Sequence, residues 1–363
     1  MSAKRRNSGL SRMTLWSIAR TSHICCRISK RMKSMDRSEN RNVTYAEAAA
    51  FLRKEDDFLI LAHASPDGDT IGSSYALCLG LRALGKRARV SCSDPIPPRY
   101  GHLALPDVPV FEPRVIVTSD IADTQLFGKA NAIYADKVAL CIDHHPSNTQ
   151  YAERVLLLPT ASSTCEIMAD LLKKLEVKIT KNIADCIYTG LSTDTGCFRY
   201  SNTGAKALRL AAEMLECGAH TAAINKRLFE TVSRQRLAVE QMALQTMEFH
   251  LDGRAALIVI SLDMREKTGA AESDMEGFAS LPVQVEGVQV GITIHEKGDR
   301  LYKLSVRTNE GVDASAICAH FGGGGHKAAA GCKIEGTLAD VKTAILNVVE
   351  KALDQHGWHS DTE

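Results

Sequence analysis

The chain has 363 residues, 45% hydrophobic and 24% charged, which suits a globular protein of about two domains and excludes a disordered or fibrous one. No apolar run reaches the roughly 18 residues that a membrane span needs. With 44 basic and 43 acidic side chains the net charge is +1, which excludes a chain that grips long polyanions by bulk charge.

Charge is unevenly spread. Residues 1–42 carry eleven Lys or Arg against Asp36 and Glu39, which leaves 33 basic and 41 acidic side chains, a net −8, in the remainder. This basic segment lacks the uninterrupted apolar stretch of a secretory signal. It is expected to be a solvated tail, or an over-long start with Met35 as the true initiator; a transit peptide and a nucleic-acid-binding tail are the alternatives. Apart from the adjacent Cys25 and Cys26, the eleven cysteines are scattered, with no C-x-x-C pair. They are expected to be reduced thiols in a cytoplasmic protein, with Cys78, Cys141, Cys186 and Cys318 as small buried hydrophobes.

From Thr44 onward, capped helices alternate with short apolar strands. Thr44 and Glu47 form a capping box for a helix through Leu52. Residues 58–62, 87–91, 115–118 and 138–142 are short apolar runs without strict alternation, the pattern of buried parallel strands. A helix over 71–84, ended by Gly85, lies between the first two. The pattern predicts a doubly wound, mostly parallel α/β domain over 43–204. A helical linker is expected over 205–250, built on a long helical stretch at 205–247. A smaller α+β domain follows at 251–355, with strands at 256–261, 288–296 and 302–307, a hairpin turn at Lys297-Gly298-Asp299, and a closing helix over 340–353.

The chemistry-bearing residues share one structural address. The first strand leads into His63-Ala64-Ser65-Pro66-Asp67-Gly68-Asp69, an H-x-x-x-D-x-D loop, and ligands gather at the carboxyl ends of strands in such sheets. The third delivers Asp120, the fourth Asp143-His144-His145, and the segment 187–193 delivers Asp194, read as another strand end. A lone Asp there is usually a helix cap and a lone His a packed or surface residue. Four such sites at successive strand ends form instead a set of carboxylates that would repel one another unless a cation neutralised them. Mixed His and Asp donors suit Mn²⁺, Zn²⁺ or Fe²⁺, and two such ions sharing a carboxylate would activate water and clamp a phosphoryl oxygen. In the second domain, Gly322 to Gly325 precede His326. Residues without Cβ let backbone N–H groups approach an anion, and Arg307 can add a bidentate phosphate fork.

The segment 63–73, HASPDGDTIGS, together with Asp120, Asp143-His144-His145 and Ser192-Thr193-Asp194-Thr195-Gly196, resembles the four motifs of the DHH phosphoesterase superfamily. Phe321-Gly322-Gly323-Gly324-Gly325-His326 with Ala330-Gly331 resembles the signature of its associated substrate domain. The likeness runs from about Val43 to Ala352 and is nearest to the nanoRNase and 3′-phosphoadenosine 5′-phosphate (pAp) phosphatase group. It implies two divalent metal ions, expected to be Mn²⁺. One would be held by His63, Asp67, Asp120 and Asp194, the other by Asp69, Asp120, His144 and Asp194, with Asp120 and Asp194 bridging. Asp143 would orient a histidine, and His145 would face the scissile phosphate; no covalent intermediate is implied. Arg307, Gly323, Gly324, Gly325, His326 and Arg199 are the candidate substrate contacts.

The expected activity is hydrolysis of two- to five-nucleotide RNAs to mononucleotides and of pAp to AMP and phosphate. Cyclic di-AMP or linear dinucleotide hydrolysis is the near alternative, and a non-catalytic nucleotide sensor on the same fold the distant one. A pyrophosphatase of the superfamily would lack the GGGGH segment, and a single-strand DNA exonuclease would be longer. Expected partners are short RNA oligonucleotides, pAp or cyclic and linear dinucleotides, no membrane, and a second copy of the chain in a homodimer.

Overall fold

The computed structural model describes residues 41–354 apart from 104 and 310, so nearly all of the basic segment at 1–42 lies outside it. The chain divides into two compact units, one ending at Asn225 and the other starting at Lys226.

In the first unit, α1 (Tyr45–Lys54) starts on the expected capping box between Thr44 and Glu47. Next come β1 (Phe58–Leu61), α2 (Gly68–Ala83), β2 (Ala88–Ser91), β3 (Val115–Ser119), β4 (Val138–Asp143) and β5 (Val155–Leu157). The helices α3 (Thr164–Lys174), α4 (Lys181–Asp194) and α5 (Ala205–Glu216) complete this unit's main frame. The strands form one all-parallel sheet in the order β2-β1-β3-β4-β5. Strand order reverses between β1 and β3, and in such sheets ligands bind beyond the carboxyl ends at that reversal. β1 and β3 are buried along their whole length, which explains their unalternating apolar sequences.

Helix α2 is sealed on almost every side, with Ile71, Ala76, Leu77, Cys78 and Leu81 all buried. It lies close against α4 because Gly72 has no Cβ; a methyl there would strike the Cys186 carbonyl oxygen. It ends as expected at Gly85, whose φ is +78°. The four cysteines expected in the interior, Cys78, Cys141, Cys186 and Cys318, are all buried free thiols.

The helical stretch expected over 205–247 is not continuous. α5 packs on α4 through Ala207, Leu210 and Met214, then breaks at Gly218. A π-helical turn at Lys226–Glu230 follows, and α6 (Arg234–Leu244) packs in the second unit through Val239 and Ala243. The second unit adds β6 (Glu248–His250), β7 (Ala255–Ile260), α7 (Leu262–Thr268), β8 (Val290–Gly298), β9 (Leu301–Thr308), α8 (Ala314–Ala319), β10 (Gly324–His326), β11 (Ala329–Glu335) and α9 (Leu338–Asp354). Its sheet runs β10-β11-β9-β8-β7-β6, with β7 and β8 parallel and every other pair antiparallel. β7 alternates between two cores. Leu257 and Val259 join Val341, Ile345 and Val349 of α9, whereas Ile258 and Ile260 join α6 and Phe278. The β8–β9 hairpin turns at Asp299-Arg300, with a register irregularity at Glu296–Gly298. Among the described residues no helix is long and apolar enough to cross a membrane.

Candidate metal centre

The first unit gathers the predicted donors where its strands end. His63 follows β1 closely. Asp67 caps α2, its Oδ1 accepting the N–H groups of Asp69 and Thr70 at 3.0 Å each, and Asp69 sits in that helix's first turn, fully buried. Asp120 follows β3 with φ +64°, a left-handed conformation that Asp tolerates better than most residues. β4 itself ends on Asp143 and delivers His144 and His145. Asp194 departs from expectation: it is the last residue of helix α4, not the sequel to a strand. The run Ile187 to Ser192 is buried because α4 is packed against α2 and α3, and a short buried helix segment of apolar and small polar residues looks like a buried strand in sequence.

Three overlapping sets have donor atoms within 4.8 Å of one another: His63, Asp67 and Asp120; Asp69, His144 and Asp194; Asp120, His144 and His145. Asp120 joins the first two regions with different oxygens. Its Oδ2 lies 3.8 Å from His63 Nε2, and its Oδ1 lies 3.8 Å from His144 Nε2. Asp194 falls only in the set with Asp69 and His144.

The imidazole tautomers follow from their partners. His63 Nδ1 lies 2.8 Å from the Ala64 carbonyl and His144 Nδ1 lies 3.2 Å from the Ala161 carbonyl. A carbonyl only accepts, so both Nδ1 atoms carry hydrogen and both Nε2 atoms turn toward carboxylates. His144 Nε2 is buried and makes no hydrogen bond; Asp194 Oδ2 is 3.2 Å away but off the ring's bonding direction. An orphaned imidazole nitrogen among carboxylates is a donor arrangement that a divalent cation fits. His145 differs: its Nδ1 is bound by Asp143 Oδ1 at 2.8 Å, leaving Nε2 on a side chain 42% exposed.

Electrostatics point the same way. Burial, reinforced by the charge of Asp194, pushes Asp69 up to about 7. Burial and the charges of Asp69 and Asp67 hold Asp120 well above the carboxylate range, and Asp194 rises to about 6, chiefly by burial. Burial alone would lower His63, but the Asp67 carboxylate, 3.6 Å from its Nε2, raises it to about 9. Burial would lower His144 too, yet Asp194 and Asp69 raise it to about 10. Asp67 is the exception: burial would raise it, but His63 holds it below the carboxylate range, while the rest of the cluster retains protons on acids and bases alike, the response of a group short of positive charge. Asp143 goes the other way. Burial would raise it, but His145 and Asn148, whose Nδ2 donates to Oδ2 at 2.6 Å, hold it below the usual range.

Three contributors went unseen in the sequence. Asn148 orients Asp143 and lies in a loop, marked by nothing except its position shortly after the histidines. Gly190, in mid-α4, leaves room for Asp69. The start of α3 supplies the Thr164 and Cys165 N–H groups to the two oxygens of Asp69, at 2.6 and 2.9 Å. The last contact is made by backbone, so no residue type announces it.

Arg199 follows α4 in a turn where Gly196, Cys197 and Phe198 all have positive φ, and its Nε donates to the Gly196 carbonyl at 2.6 Å. In the second unit, His326 on β10 and Arg307 on β9 both pair in register with Ala329 on β11, so they share one row and one face of the sheet. The glycines behave differently from the anion cradle expected of them. The N–H groups of Gly322 and Gly323 are donated to the carbonyls of Ala319 and Cys318, and Gly324 and Gly325 pair with β11 as an exposed strand. A Cβ on Gly323 would meet Cys332, and one on Gly325 would sit 2.5 Å from the Ala329 carbonyl oxygen. These two positions need glycine for close strand packing.

Residues 57–191 match the family model for the DHH family N-terminal domain, and residues 255–355 match the DHHA1 domain. The chain belongs to the DHH family. It is 32% identical over 313 residues to the bifunctional oligoribonuclease and PAP phosphatase NrnA of Thermus thermophilus, covering 84% of this chain and 92% of that one. It is 22% identical over 329 residues to the cyclic-di-AMP phosphodiesterase PdeA of Listeria monocytogenes, covering 82% of this chain and 48% of that protein. The crystal structure of an exopolyphosphatase-related protein from Bacteroides fragilis matches with a TM-score of 0.76 at 26% identity, over 86% of this chain and 96% of that one.

Proposed function

We propose that the chain is a divalent-metal-dependent phosphohydrolase that cuts short oligoribonucleotides to mononucleotides and removes phosphate from pAp. The observation that carries this reading is Asp120, whose two oxygens face two separate sets of Asp and His donors. Similarity to the Thermus oligoribonuclease and PAP phosphatase along most of both chains supports the substrate class.

His63, Asp67 and Asp120 would hold one ion and Asp69, His144 and Asp194 the other, with Asp120 common to both and Mn²⁺ the expected metal. Bound divalent cations would acidify a water molecule and offset charge on a phosphoryl oxygen. The chain's own groups do the rest. The Ala64 and Ala161 carbonyls hold His63 and His144 in the tautomer that presents Nε2. Asp143, itself held by Asn148, fixes the Nδ1–H of His145, so that Nε2 is the ring atom available to the leaving oxygen. Arg307 and His326 offer a guanidinium fork and a ring donor for a substrate phosphate, and Arg199 is a further candidate contact beside Asp194.

The test is a panel of pAp, di- to pentaribonucleotides and cyclic di-AMP, each incubated with the purified full chain and Mn²⁺, Mg²⁺ or Co²⁺, with products separated by chromatography. Turnover of pAp and the short oligomers is expected. Turnover of cyclic di-AMP alone would reject the reading, and turnover of nothing beyond that of an Asp120→Ala variant would favour the nucleotide sensor.

A further inference from the structure

The segment 161–166 contacts three of the six candidate ligands, and its contacts are of unlike kinds. The Ala161 carbonyl takes the His144 ring N–H at 3.2 Å. Ser162 and Asn202 exchange two hydrogen bonds, Ser162 Oγ to the Asn202 carbonyl at 2.7 Å and Asn202 Nδ2 to the Ser162 carbonyl at 3.1 Å; Nδ2 also donates to the Asp194 carbonyl at 3.1 Å. Ser163 caps α3, and Glu166, paired with Lys206 at 3.0 Å, accepts the Ser162 N–H. Thr164, fully buried, is the residue that touches two candidate ligands at once: its N–H reaches Asp69 Oδ2 at 2.6 Å and its hydroxyl donates to Asp120 Oδ1 at 2.9 Å.

We infer that Thr164 is a positioning residue for the ion held by Asp69, His144 and Asp194, acting through the Asp120 carboxylate. The inference rests on the metal-dependent reading above. The cap of α3 is already made by Ser163, so the Thr164 hydroxyl is not needed to start the helix. Its proton goes to the Asp120 oxygen on the His144 side, and this sets the plane of the shared carboxylate while leaving Oδ2 to the His63 side. A group that orients a ligand without binding the metal typically governs affinity by ten- to a hundredfold.

The experiment compares the full chain with Thr164→Val, Thr164→Ala and Thr164→Ser by Mn²⁺ titration of chelator-stripped protein, followed by electron paramagnetic resonance and calorimetry. Val keeps the shape and loses the hydroxyl, Ala loses both, and Ser keeps the donor. Val and Ala are expected to weaken one of two Mn²⁺ sites by about ten- to a hundredfold, leave the other within about threefold, and lower kcat more than they raise KM; Ser restores binding to near wild type. Wild-type affinity at both sites in Val and Ala overturns the inference, as does a drop in thermal stability with Mn²⁺ affinity unmoved. A wild-type chain that takes up no Mn²⁺ sinks the proposed function together with this inference, whereas two normal sites in the variants sink this inference alone.

Discussion

Gly190→Ala sets two physical effects against each other. In an open helix interior this change would stabilise by about 1 kcal/mol. Here the new methyl would lie 2.5 Å from Asp69 Oδ1 and 2.9 Å from Asp69 Cα, and would strike Cys165 Sγ, while Asp69 and Cys165 are both fully buried and have no space to retreat. Overpacking of this kind costs roughly 1–3 kcal/mol. Pushing the carboxylate aside also weakens a hydrogen bond from the start of α3, worth roughly 1.5–3 kcal/mol when one partner is charged. Set against the helix gain, the net loss is about 1.5–5 kcal/mol, a fall in Tm of roughly 3–20 °C for a unit of this size. Displacing the candidate ligand Asp69 by about 1 Å should lower turnover of pAp by about a hundredfold. Calorimetry in chelator, paired with phosphate release under Mn²⁺, measures both. A Tm that rises by a few degrees with wild-type turnover would show that Asp69 is not confined as described.

Asp120→Asn should lower activity by several orders of magnitude yet raise the Tm of metal-stripped protein, because a neutral amide replaces a buried carboxyl whose ionisation is opposed by burial and by Asp69 and Asp67; a lower Tm in chelator would contradict the crowding. Asp69, Asp194, His63 and His144 all hold protons more tightly in the fold than in the unfolded chain, so metal-free stability should fall as pH rises from about 4 to about 10, and Mn²⁺ should flatten that slope. Melting curves across pH, with and without Mn²⁺, test this, and a rising metal-free curve would refute it. His295 on β8 has the opposite sign. Burial, helped by Lys297, lowers it to about 4, so its contribution is present above about 6.5 and is lost on acidification through about 4; His295→Gln should remove that acid sensitivity from the second unit's unfolding. Arg307→Ala should raise KM for pAp about ten- to a hundredfold with little change in kcat, as expected for a lost charged hydrogen bond of roughly 1.5–3 kcal/mol, and a kcat defect at unchanged KM would assign Arg307 a different task.

The residues that reveal the site in sequence are those whose side chains do the chemistry next to a strand that reads clearly. Buried β1, β3 and β4 announce themselves by unbroken apolar runs, so His63, Asp120 and Asp143 could be placed without a structure. Asp194 could be named but its element was misread, because the last turns of α4, Ile187 to Ser192, are buried throughout and mix apolar with small polar residues, which fits a buried strand as well as a helix. β10 is three exposed residues of Gly-Gly-His with no strand pattern, stabilised by pairing with β11 and not by propensity. The helical stretch expected over 205–247 is made of several helices for a related reason: helical composition persists across Gly218 and the π turn, while tertiary packing assigns the two sides to different cores.

Asp69 is held by main-chain groups at the start of α3, and main-chain groups do not change when a side chain mutates. Drift in amino-acid identity should therefore be tolerated where it spares the Ser163 cap, the Thr164 hydroxyl and the packing of buried Cys165. A change in length should not be. One residue inserted or deleted between β5 and α3 would change the span of the loop that delivers the helix start and carry both amides away from the carboxylate. In this part of the molecule the reading frame of the loop, more than its spelling, is what descent has to preserve.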